Sequence, residues 1–566
     1  MRQLKYKLTS VATVKLLVDF SQPLAVDVET LNSEGLYSSI QLVQFYQKDW
    51  PSALLVEKPE IFELAALLTD CHMIAHNASY EVSTIQKQLG KELGCKPYDW
   101  QPRDFDDTLL LAKFQFFNKE KFSLDACYKY AFGYDPYVSA GLNKTEMQKA
   151  DWSKLTEEKL TYAATDVFYL LDLYEECQEW LDDQSYKLTK LATKAAFSFQ
   201  TNGVPINLDK LRLQRQQNNE KIDAMNMPIN VNSYKQVRPY IGSDESDGLA
   251  LATMALEGNE RARQVNVVRK LIKENSFLDK FERTAINSRL YGHFMFTTKS
   301  GRGNCKDQNL QQSPRSTKGL IEAGEGRVLV ASDFSQLELR YACAVSGEPL
   351  MTQMFKDGVD LHTETANLMS VPRQQAKTCN FNLLYGGSAK MLRTIFITSP
   401  PGVLLPLHEV QELKKKWHNL YKVLTSWQDS VVTKYRQGRK LHTLLGRPLQ
   451  ATLYTDALNL PIQGGSADIA KLAMHKMFTE VAKHEELKTN SKFVNFVHDS
   501  FMWDCPNDPE IYEPLAKITA NAMKEAWNEL VVFTKVPDLP MPVDVAVGKN
   551  WGDLEKDKKI IYSLTI

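Results

Sequence analysis

The sequence predicts two domains, an α/β domain in residues 1–190 and an α+β domain in residues 191–566. Three observations support this division. The first part alternates strand-like apolar runs with segments of helical periodicity. The second part begins with polar helical segments, and its two strand-like groups are separated by a long helical insertion. Such an interrupted set of strands is typical of a sheet that carries a site, with the insertion folded over it.

Composition sets the broad class of the protein. The 566 residues are 43% hydrophobic and 24% charged, as in ordinary globular proteins, and this length predicts two to four domains. The net charge of −1 means that any basic surface is local. The eight cysteines form no C-x-x-C pair, which disfavours a zinc site or disulfide framework. With no signal-peptide pattern and no membrane-spanning run, a cytoplasmic protein without membrane contact is expected.

The elements of the first domain follow in chain order. PLAVDVET (23–30) and SIQLVQFY (39–46) have the composition of buried strands. Residues 72–89 read as a strand that runs into a helix. DTLLLAKFQF and the long segment 156–181 have helical periodicity. This alternation predicts an α/β domain.

The second domain begins with two long charged helices, at 210–225 and 259–283. The stretch YIGSDESDG (240–248) between them is predicted to be a flexible loop. Strand patterns return at RVLVAS and at 493–505. The helical insertion between these strands covers roughly 350–440, with a break at SPPG (399–402).

Two aspartates end buried strands of the second domain. VNFVHDSFMWD (494–504) reads as a hairpin with Asp499 at its tip, and Asp333 follows the strand RVLVAS. Ser335 and Glu338 have capping-box spacing, which predicts a helix from Ser335. If both strands share a sheet, the carboxylates converge and can hold Mg²⁺ ions for phosphoryl transfer. An ordinary strand-end Asp and an ordinary turn Asp remain the alternative at this point.

A helix in the insertion carries an unusual stripe. Arg373, Lys377, Phe381 and Tyr385 recur every four residues, so they lie close to one face, and Gly386 follows. Core helices do not normally mix two cations with two aromatics on one stripe. The pattern is suited to a nucleotide, because cations bind the triphosphate and aromatics contact sugar and base. A half-buried helix with snorkelling cations is the weaker alternative.

A second acidic set lies in the first domain. Asp27 and Glu29 are two apart on a strand, and Tyr162 and Asp166 are four apart on a helix, so each pair shares a face. HNASYE (76–81) places Glu81 at the start of a helix. Each residue alone would be an ordinary surface carboxylate, but together they form a candidate metal site.

These motifs resemble those of a known family. DFSQLELR (333–340), RQQAKTCNFNLLYGG (373–387) and VHDS (497–500) resemble the three polymerase motifs of family A DNA polymerases. SGRGNCKDQNLQQSPR (300–315) is similar to the family's T-G-R…N-L-Q segment, and the resemblance covers roughly 230–566. LLGRPL (444–449) and NLPIQGGSADIAK (459–471) resemble further family segments.

The first domain resembles the 3′–5′ proofreading exonuclease of the same family. Its motifs match D-x-E, N-x-x-[FY]-D and Y-x-x-x-D. The resemblance implies an RNase H-like exonuclease fold (mixed sheet with helices) and a right-handed polymerase domain. Its thumb would cover 191–300, its palm 301–350 and 440–566, and its fingers 351–439.

The resemblance also implies roles for individual residues of the polymerase domain. Asp333, Asp499 and the Phe334 carbonyl would bind two catalytic Mg²⁺ ions, for which Mn²⁺ could substitute. The residues implied to bind the dNTP are Arg373, Lys377, Phe381, Tyr385, Glu338, Gln336 and His498. Lys377 would act catalytically on the triphosphate, and Glu338 would exclude ribonucleotides. The residues implied to contact primer or template are Arg302, Asn309, Arg447, Asn459, Gln463 and Gly386.

In the exonuclease the resemblance implies a second two-metal site. Asp27, Glu29, Glu81 and Asp166 would bind the ions, and Tyr162 would orient the attacking water. Three positions depart from the family pattern. Phe334 replaces Tyr, Glu81 replaces Asp, and Ser500 replaces the Glu that follows the hairpin aspartate. Activity at both sites is expected despite these changes.

The implied function is template-directed DNA synthesis with proofreading, on primer-template DNA and dNTPs. The chain is most similar to phage replicative polymerases, acting in an infected bacterium as a monomer, with accessory replication proteins possible. No 5′-nuclease domain is expected before residue 27, which lies in the first exonuclease motif. The alternatives are a single-subunit RNA polymerase, opposed by Glu338 and the exonuclease, and a DNA-binding protein with a decayed exonuclease.

Overall fold

Two sheets organise the chain, and each lies in one of the two predicted domains. The computed structural model of the protein describes residues 4–31, 39–147, 149–556 and 558–566. In these ranges the first sheet has six strands in the order β1-β4-β3-β2-β5-β6. The strands are β1 (Tyr6–Leu8), β2 (Pro23–Leu31), β3 (Ser39–Gln47), β4 (Ala53–Glu57), β5 (His72–Ala75) and β6 (Asp104–Asp107).

The first sheet is mixed, as expected. β2 pairs antiparallel with β3 and parallel with β5. The helices around the sheet are α1 (Val11–Leu17), α2 (Ile61–Asp70), α3 (Ala78–Glu92), α4 (Thr108–Gln115), α5 (Leu124–Phe132), α6 (Pro136–Ser139), α7 (Lys144–Met147), α8 (Glu157–Phe168), α9 (Leu170–Glu176) and α10 (Gln184–Phe199). The segment 156–181 is divided between α8 and α9 at Tyr169, with a 3₁₀ turn at Gln178–Trp180.

Local sequence explains how β2 and α8 present the acidic side chains. Val26 and Val28 are buried in the core on one face of β2, which leaves Asp27 and Glu29 on the other face. Thr156 caps α8, because its side chain accepts a hydrogen bond from the Lys159 amide.

A helical segment and short strands connect the sheets. Its elements are β7 (Val204–Pro205), α11 (Leu208–Ala224), α12 (Tyr234–Ile241), α13 (Gly248–Leu256), α14 (Glu260–Thr284), β8 (Arg289–Leu290), β9 (His293–Met295) and β10 (Asn304–Lys306). The predicted loop 240–248 is shorter than expected, because α12 and α13 extend into it. Gly242 ends α12 in a left-handed conformation, and Asp247 caps α13 through the Ala250 amide.

The second sheet is antiparallel and has five strands in the order β14-β15-β11-β16-β17 among the described residues. They are β11 (Arg327–Phe334), β14 (Lys492–Val497), β15 (Ser500–Pro506), β16 (Val543–Gly548) and β17 (Tyr562–Thr565); a separate pair is β12 (Leu441–His442) with β13 (Pro448–Leu449). The central strand is β11, and Asp333 is the last residue but one of this strand. The strand that carries Asp333, β11, is therefore a neighbour of the hairpin strand β15, as predicted.

The insertion between β11 and β14 is helical, as predicted. Its helices are α15 (Leu337–Ser346), α16 (Pro349–Lys356), α17 (Leu361–Met369), α18 (Arg373–Leu384), α19 (Ala389–Thr398), α20 (Leu407–Leu420), α21 (Lys422–Arg436), α22 (Tyr454–Val481) and α23 (Glu485–Asn490). The chain ends with α24 (Pro509–Val531) and α25 (Trp551–Leu554) beside the second sheet. SPPG falls between α19 and α20, where the break was expected.

The predicted capping box at Ser335 is wrong. The helix α15 begins at Leu337, and its N-cap is Gln336, which has a left-handed backbone with φ of 56°. The Ser335 amide instead donates to the carbonyl of Pro542 on the approach to β16. Glu338 is therefore in the first turn of the helix and free of a capping role.

The two domains pack against each other through α10. Buried Thr189 of α10 accepts a hydrogen bond from Lys471 of α22 at 3.0 Å. Lys471 also pairs with Asp468 at 2.9 Å, and both side chains are fully buried. A buried pair needs such extra partners because charge is costly to remove from water.

Candidate active sites

The first candidate site lies on β2 and α8. One ligand oxygen from each of Asp27, Glu29 and Asp166 falls within 4.8 Å of the others. The strand places the first two on one face, and α8 crosses that face with Asp166 pointing toward them. The predicted trio is therefore assembled in space, from positions about 140 residues apart in the sequence.

Electrostatics in this cluster favours a bound cation. Burial, followed by the charge of Asp166, raises the pKa of Asp27 well above its usual range, and burial with Asp27 does the same for Glu29. Burial raises the pKa of Asp166 to about 7. Three carboxylates that share a site repel one another, and a divalent ion relieves that repulsion. The donor set suits Mg²⁺ or Mn²⁺, which prefer oxygen ligands.

Glu81 lies beside this trio but outside the 4.8 Å group. It is 1% exposed in the first turn of α3, and burial and then Asp27 raise its pKa. Its Oε2 atom is buried and has no hydrogen-bond partner in the described part of the chain. A buried orphan carboxylate oxygen is costly unless it meets a ligand. Glu81 therefore fits a fourth metal ligand, and this role stays a prediction.

Three residues that were not predicted hold the acidic side chains in place, two at the trio and one at the helix that carries Glu81. The Tyr137 hydroxyl donates to Asp166 Oδ1, and the Gln44 amide donates to Asp27 Oδ2 at 3.1 Å. Asp107 accepts hydrogen bonds from the Asn77 and Ala78 amides at 2.9 and 3.1 Å, which fixes the start of α3. Only Asp107 has a sequence pattern, since it precedes the apolar run TLLLAKF as an N-cap.

The trio opens into a cavity of about 610 Å³. Tyr162 lines it and packs beside Tyr137, with ring centroids 5.2 Å apart. Lys144 also lines the cavity and pairs with Asp125 at 2.6 Å. Its charge lowers the pKa of all three carboxylates, although burial dominates. The cavity can hold the end of a polar, anionic chain.

The second candidate site lies at the ends of β11 and the β14–β15 hairpin. His498 and Asp499 form a two-residue turn, and His498 has the positive φ of 61° that this turn requires. The Phe334 amide donates to the Asp499 carbonyl at 3.4 Å, and Asp333 is in register with Ser500. The predicted convergence of Asp333 and Asp499 is thereby produced by the sheet.

The carboxylates of this site also have raised pKa values. Desolvation in a recess, then Asp499, raises the pKa of Asp333, although part of this side chain keeps contact with solvent. Burial raises the pKa of Asp499 to about 6, and Arg302 lowers it. Asp544 on β16 lies opposite Asp333 on the other side and raises its pKa further. Asp544 was not among the predicted site residues.

The cationic helix α18 faces Asp333 across a cavity of about 820 Å³, which Lys377 and Asp333 both line. Arg373 at the start of α18 is exposed and forms hydrogen bonds with Asp360 at 2.8 and 3.1 Å. Phe381 is half-buried against the His362 ring, with centroids 5.6 Å apart. The stripe is thus present, but Arg373 is tied to a carboxylate in this arrangement.

Tyr385 lies one residue beyond α18, as its C-cap, and its buried hydroxyl forms no hydrogen bond with any described residue. Gly386 follows with φ of 72°, and Leu458 and Tyr454 leave no room for a side chain there. The Tyr454 hydroxyl donates to the Gly386 carbonyl. The glycine is required by both conformation and space, whatever it contacts in a complex.

Four predicted DNA-binding or nucleotide-binding residues line one cavity of about 350 Å³. They are Arg302, Asn309, Gln463 and His498. Asn459 lies one helical turn before Gln463 on α22. Its Oδ1 atom and the Oε1 atom of Gln336 are buried and have no hydrogen-bond partner among the described residues. Buried polar atoms of this kind are expected where a ligand completes the hydrogen bonds.

Arg302 and Glu338 form a direct ion pair. Arg302, the predicted primer or template contact, and Glu338, the residue predicted to exclude ribonucleotides (the sugar gate), are thus partners beside Asp499. Arg447, another predicted DNA contact, is buried, and its role stays a prediction. It is 2% exposed, with its guanidinium over the Phe114 ring at 5.0 Å and beside Thr189. A guanidinium that stabilises the domain interface in this way is not available to DNA in the described structure.

Comparisons with known proteins agree with this architecture. A model described as DNA polymerase family A matches residues 208–553, and a 3′–5′ exonuclease model matches residues 6–182. The chain therefore belongs to family A of the DNA polymerases, as a DNA-directed DNA polymerase with a 3′–5′ exonuclease domain before the polymerase domain.

Among the described residues no helix is both long and apolar enough to cross a membrane.

Individual relatives support the same assignment. DNA polymerase I of Aquifex aeolicus is 27% identical over 92% of this chain and 95% of its own length. The thermostable DNA polymerase I of Thermus aquaticus is 29% identical over 57% of this chain, which spans 42% of that relative. The polymerase domain of Pol1 from M. smegmatis, in complex with primer-template DNA and dNTP, shares the fold with a TM-score of 0.75 at 19% identity. That match covers 97% of this chain and 99% of the other.

Proposed function

We propose that the protein copies a DNA template from a primer with dNTPs, and removes misincorporated 3′ ends at a second, separate centre. The observation that carries this proposal is the pair of carboxylate sets in different cavities. One set is Asp27, Glu29 and Asp166 within 4.8 Å. The other is Asp333 and Asp499 at the ends of neighbouring strands. Each centre would bind two Mg²⁺ ions, with Mn²⁺ able to substitute.

At the polymerase centre, Asp333, Asp499 and the Phe334 carbonyl would hold the ions. When bound, the ions lower the pKa of the primer hydroxyl and stabilise the leaving pyrophosphate. Lys377, which lines the same cavity as Asp333, would bind the triphosphate. Arg373 would join it after exchanging Asp360 for phosphate, because a bidentate guanidinium suits both partners.

The sugar and base would lie between α18 and the start of α15. Phe381 would pack on the sugar, with Tyr385 and Gly386 beneath the new base pair. Glu338, in the first turn of α15, would exclude a 2′-hydroxyl, and Gln336 at the N-cap would contact the incoming nucleotide. His498 at the hairpin tip would contact the incoming nucleotide.

The primer-template would occupy the groove lined by Arg302, Asn309 and Gln463, with Asn459 beside it. Minor-groove acceptors are shared by all correct base pairs, so contacts there check geometry without reading sequence. This proposal gives the unpartnered atoms of Gln336 and Asn459 their ligands. Arg447 would contact DNA only if the domain interface rearranged.

At the exonuclease centre, Asp27, Glu29, Glu81 and Asp166 would hold the ions. Tyr162 would orient the water that attacks the terminal phosphodiester. Tyr137 and Gln44 keep two of these carboxylates in position through their hydrogen bonds. Since all four acidic positions are present, a decayed exonuclease is disfavoured. The sugar gate and the exonuclease together disfavour an RNA polymerase.

The domain limits proposed from the resemblance are an exonuclease over 1–190, a thumb over 191–300, palm segments over 301–350 and 440–566, and fingers over 351–439. The observed elements support them, since α11–α14 form the helical segment and α16–α21 fill the insertion.

We further propose a monomer that replicates a phage genome in the cytoplasm of an infected bacterium, with accessory replication proteins possible. Motif resemblance supports this part.

The experiment that tests the proposal is a primer-template reaction in Mg²⁺, with and without each dNTP. Templated extension with dNTPs, and shortening of the primer in their absence, are the expected results. Extension with rNTPs alone would instead favour the RNA polymerase reading. A protein that binds the DNA but neither extends nor shortens it would refute the proposal.

A further inference from the structure

The wall of the exonuclease cavity contains one residue from the polymerase part of the chain. Lys306, at the end of β10, lines this cavity together with Asp27, Glu29 and Asp166. The other lining residues lie between 27 and 166 in the sequence. The cavity is therefore completed by the polymerase part, and this arrangement gives Lys306 a position toward the exonuclease substrate.

The β9–β10 hairpin that carries Lys306 is fixed to the exonuclease domain. Lys306 is in register with His293 on β9. The next residue, Asp307, has a left-handed backbone with φ of 62° and forms an ion pair with Lys87 of α3 at 2.8 Å. Lys280 donates to the Asp307 carbonyl. The same helix α3 carries Glu81, so the hairpin and the acidic site are held by one element.

The charge around the cavity distinguishes Lys306 from the other lysine in its wall. Lys144 is neutralised by Asp125 at 2.6 Å and lies over the Tyr137 ring at 5.2 Å. Lys306 is exposed, and no carboxylate of the described residues lies within ion-pair distance of it. An exposed ammonium with no partner at the mouth of an acidic cavity is suited to an anionic ligand.

We propose that Lys306 binds a backbone phosphate of the single-stranded 3′ end that enters the exonuclease cavity. The Lys87–Asp307 ion pair holds the hairpin so that this ammonium faces the cavity. The acidic trio would hold the metal ions at the terminal phosphodiester, and Lys306 binds the strand upstream of it. The inference rests on the exonuclease activity, and it assigns Lys306 to substrate positioning rather than to chemistry.

The test compares Lys306→Ala with Lys306→Arg and with the control Lys58→Ala, which removes an exposed lysine of the exonuclease domain. Degradation of a single-stranded oligonucleotide is followed as a function of salt, and hydrolysis of a dinucleotide is measured in parallel. We expect Lys306→Ala to raise KM for the oligonucleotide about tenfold. The slope of log KM against the logarithm of the salt concentration should become shallower by about 0.7, as for one lost phosphate contact.

Dinucleotide hydrolysis should stay within about twofold of the unmodified protein in Lys306→Ala, because one lost phosphate contact upstream leaves the trio intact. Lys306→Arg should keep most of the oligonucleotide affinity, and Lys58→Ala should change neither measurement. Asp307→Ala should weaken oligonucleotide binding, and adding it to Lys306→Ala should weaken binding no further, because both act through one contact. An unchanged salt slope, or an equal loss on both substrates, would overturn the proposal.

Binding without hydrolysis separates this proposal from the exonuclease activity itself. The affinity for a fluorescent tetranucleotide with a phosphorothioate 3′ linkage is measured by anisotropy. A weaker affinity in Lys306→Ala than in Lys58→Ala supports the phosphate contact even if the unmodified protein hydrolyses nothing. Equal affinities in the two variants refute it.

Discussion

Asp333 and Ser500 lie directly opposite each other on the neighbouring antiparallel strands β11 and β15. The residue after Asp499 therefore lies beside Asp333 and has a hydroxyl where the family pattern has a carboxylate. That hydroxyl donates to the Val497 carbonyl at 3.1 Å, which closes the hairpin turn. Ser500 thus stabilises the turn that holds Asp499.

Replacing Ser500 with Ala should leave primer extension largely intact, because only the turn hydrogen bond is lost. That bond contributes about 1 kcal/mol, and urea unfolding should report a loss of this size. Ser500→Thr, which keeps the hydroxyl, serves as the control. If Ser500→Ala abolished extension at unchanged stability, the hydroxyl would act on metal or water instead.

Replacing Glu338 with Ala should admit ribonucleotides, since the side chain that occupies the space of a 2′-hydroxyl is removed. Glu338→Gln is the matched control, because it keeps the volume and removes the charge that pairs with Arg302. The ratio of dNTP to rNTP kcat/KM should fall in the Ala variant and persist in the Gln variant. An equal fall of this ratio in both variants would assign discrimination to the ion pair with Arg302.

The stability of the metal-free protein should fall as pH rises from about 4 to about 7. Burial raises the folded-state pKa of Asp166 from 3.8 to about 7, so its stabilising contribution is present below pH 4 and lost through pH 7. A tenfold difference in proton affinity between the folded and unfolded states corresponds to about 1.4 kcal/mol. Urea unfolding in EDTA at pH 5 and pH 7.5 measures the fall.

Asp166→Asn should reduce this pH dependence, and Mg²⁺ should stabilise the unmodified protein more at pH 7.5 than at pH 5. Comparison with the variant removes the contributions of groups outside the cluster. A pH dependence identical in both proteins would contradict the assignment of the effect to the acidic trio.

Replacing Glu81 with Ala should weaken exonuclease activity and its apparent Mg²⁺ affinity, because one carboxylate beside Asp27 is removed. Glu81→Asp keeps the charge and should be tolerated. Glu92→Ala, at the exposed end of the same helix, is the control. Degradation of a single-stranded 3′ end across a Mg²⁺ titration measures each variant. Full activity in Glu81→Ala would remove Glu81 from the site.

Local sequence patterns predicted the strands and the hairpin that carry the acids. Alternation placed Asp27 and Glu29 on one face. The apolar runs flanking His498, Asp499 and Ser500 predicted the hairpin turn, and Ser500 is the first residue of β15 in the structure. The capping box at Ser335 failed, because Ser335 bonds to Pro542, about 200 residues away in the sequence, and Gln336 takes a left-handed conformation. A spacing rule contains no information on such a distant partner.

The residues that support the two sites could not be predicted from local patterns, because their contacts join elements distant in the sequence. Tyr137 reaches Asp166 from a four-residue helix, and Lys306 reaches the exonuclease cavity from the other domain. Arg447 lies in a motif whose position suggested DNA, but the packing of Phe114 against it is set by the domain interface. Contacts between distant elements decide these cases, and they require the fold.

The central claim is that one chain contains two independent metal-dependent centres, and a mismatched primer tests it most directly. A labelled primer with a mispaired 3′ nucleotide is incubated with template, Mg²⁺ and dNTPs, and its length is followed in the unmodified protein, Asp27→Ala and Asp499→Ala. The unmodified protein should shorten and then extend the primer, Asp27→Ala should not shorten it but should still extend a matched primer, and Asp499→Ala should only shorten it. Loss of both activities in either variant, with the protein still folded, would contradict the claim.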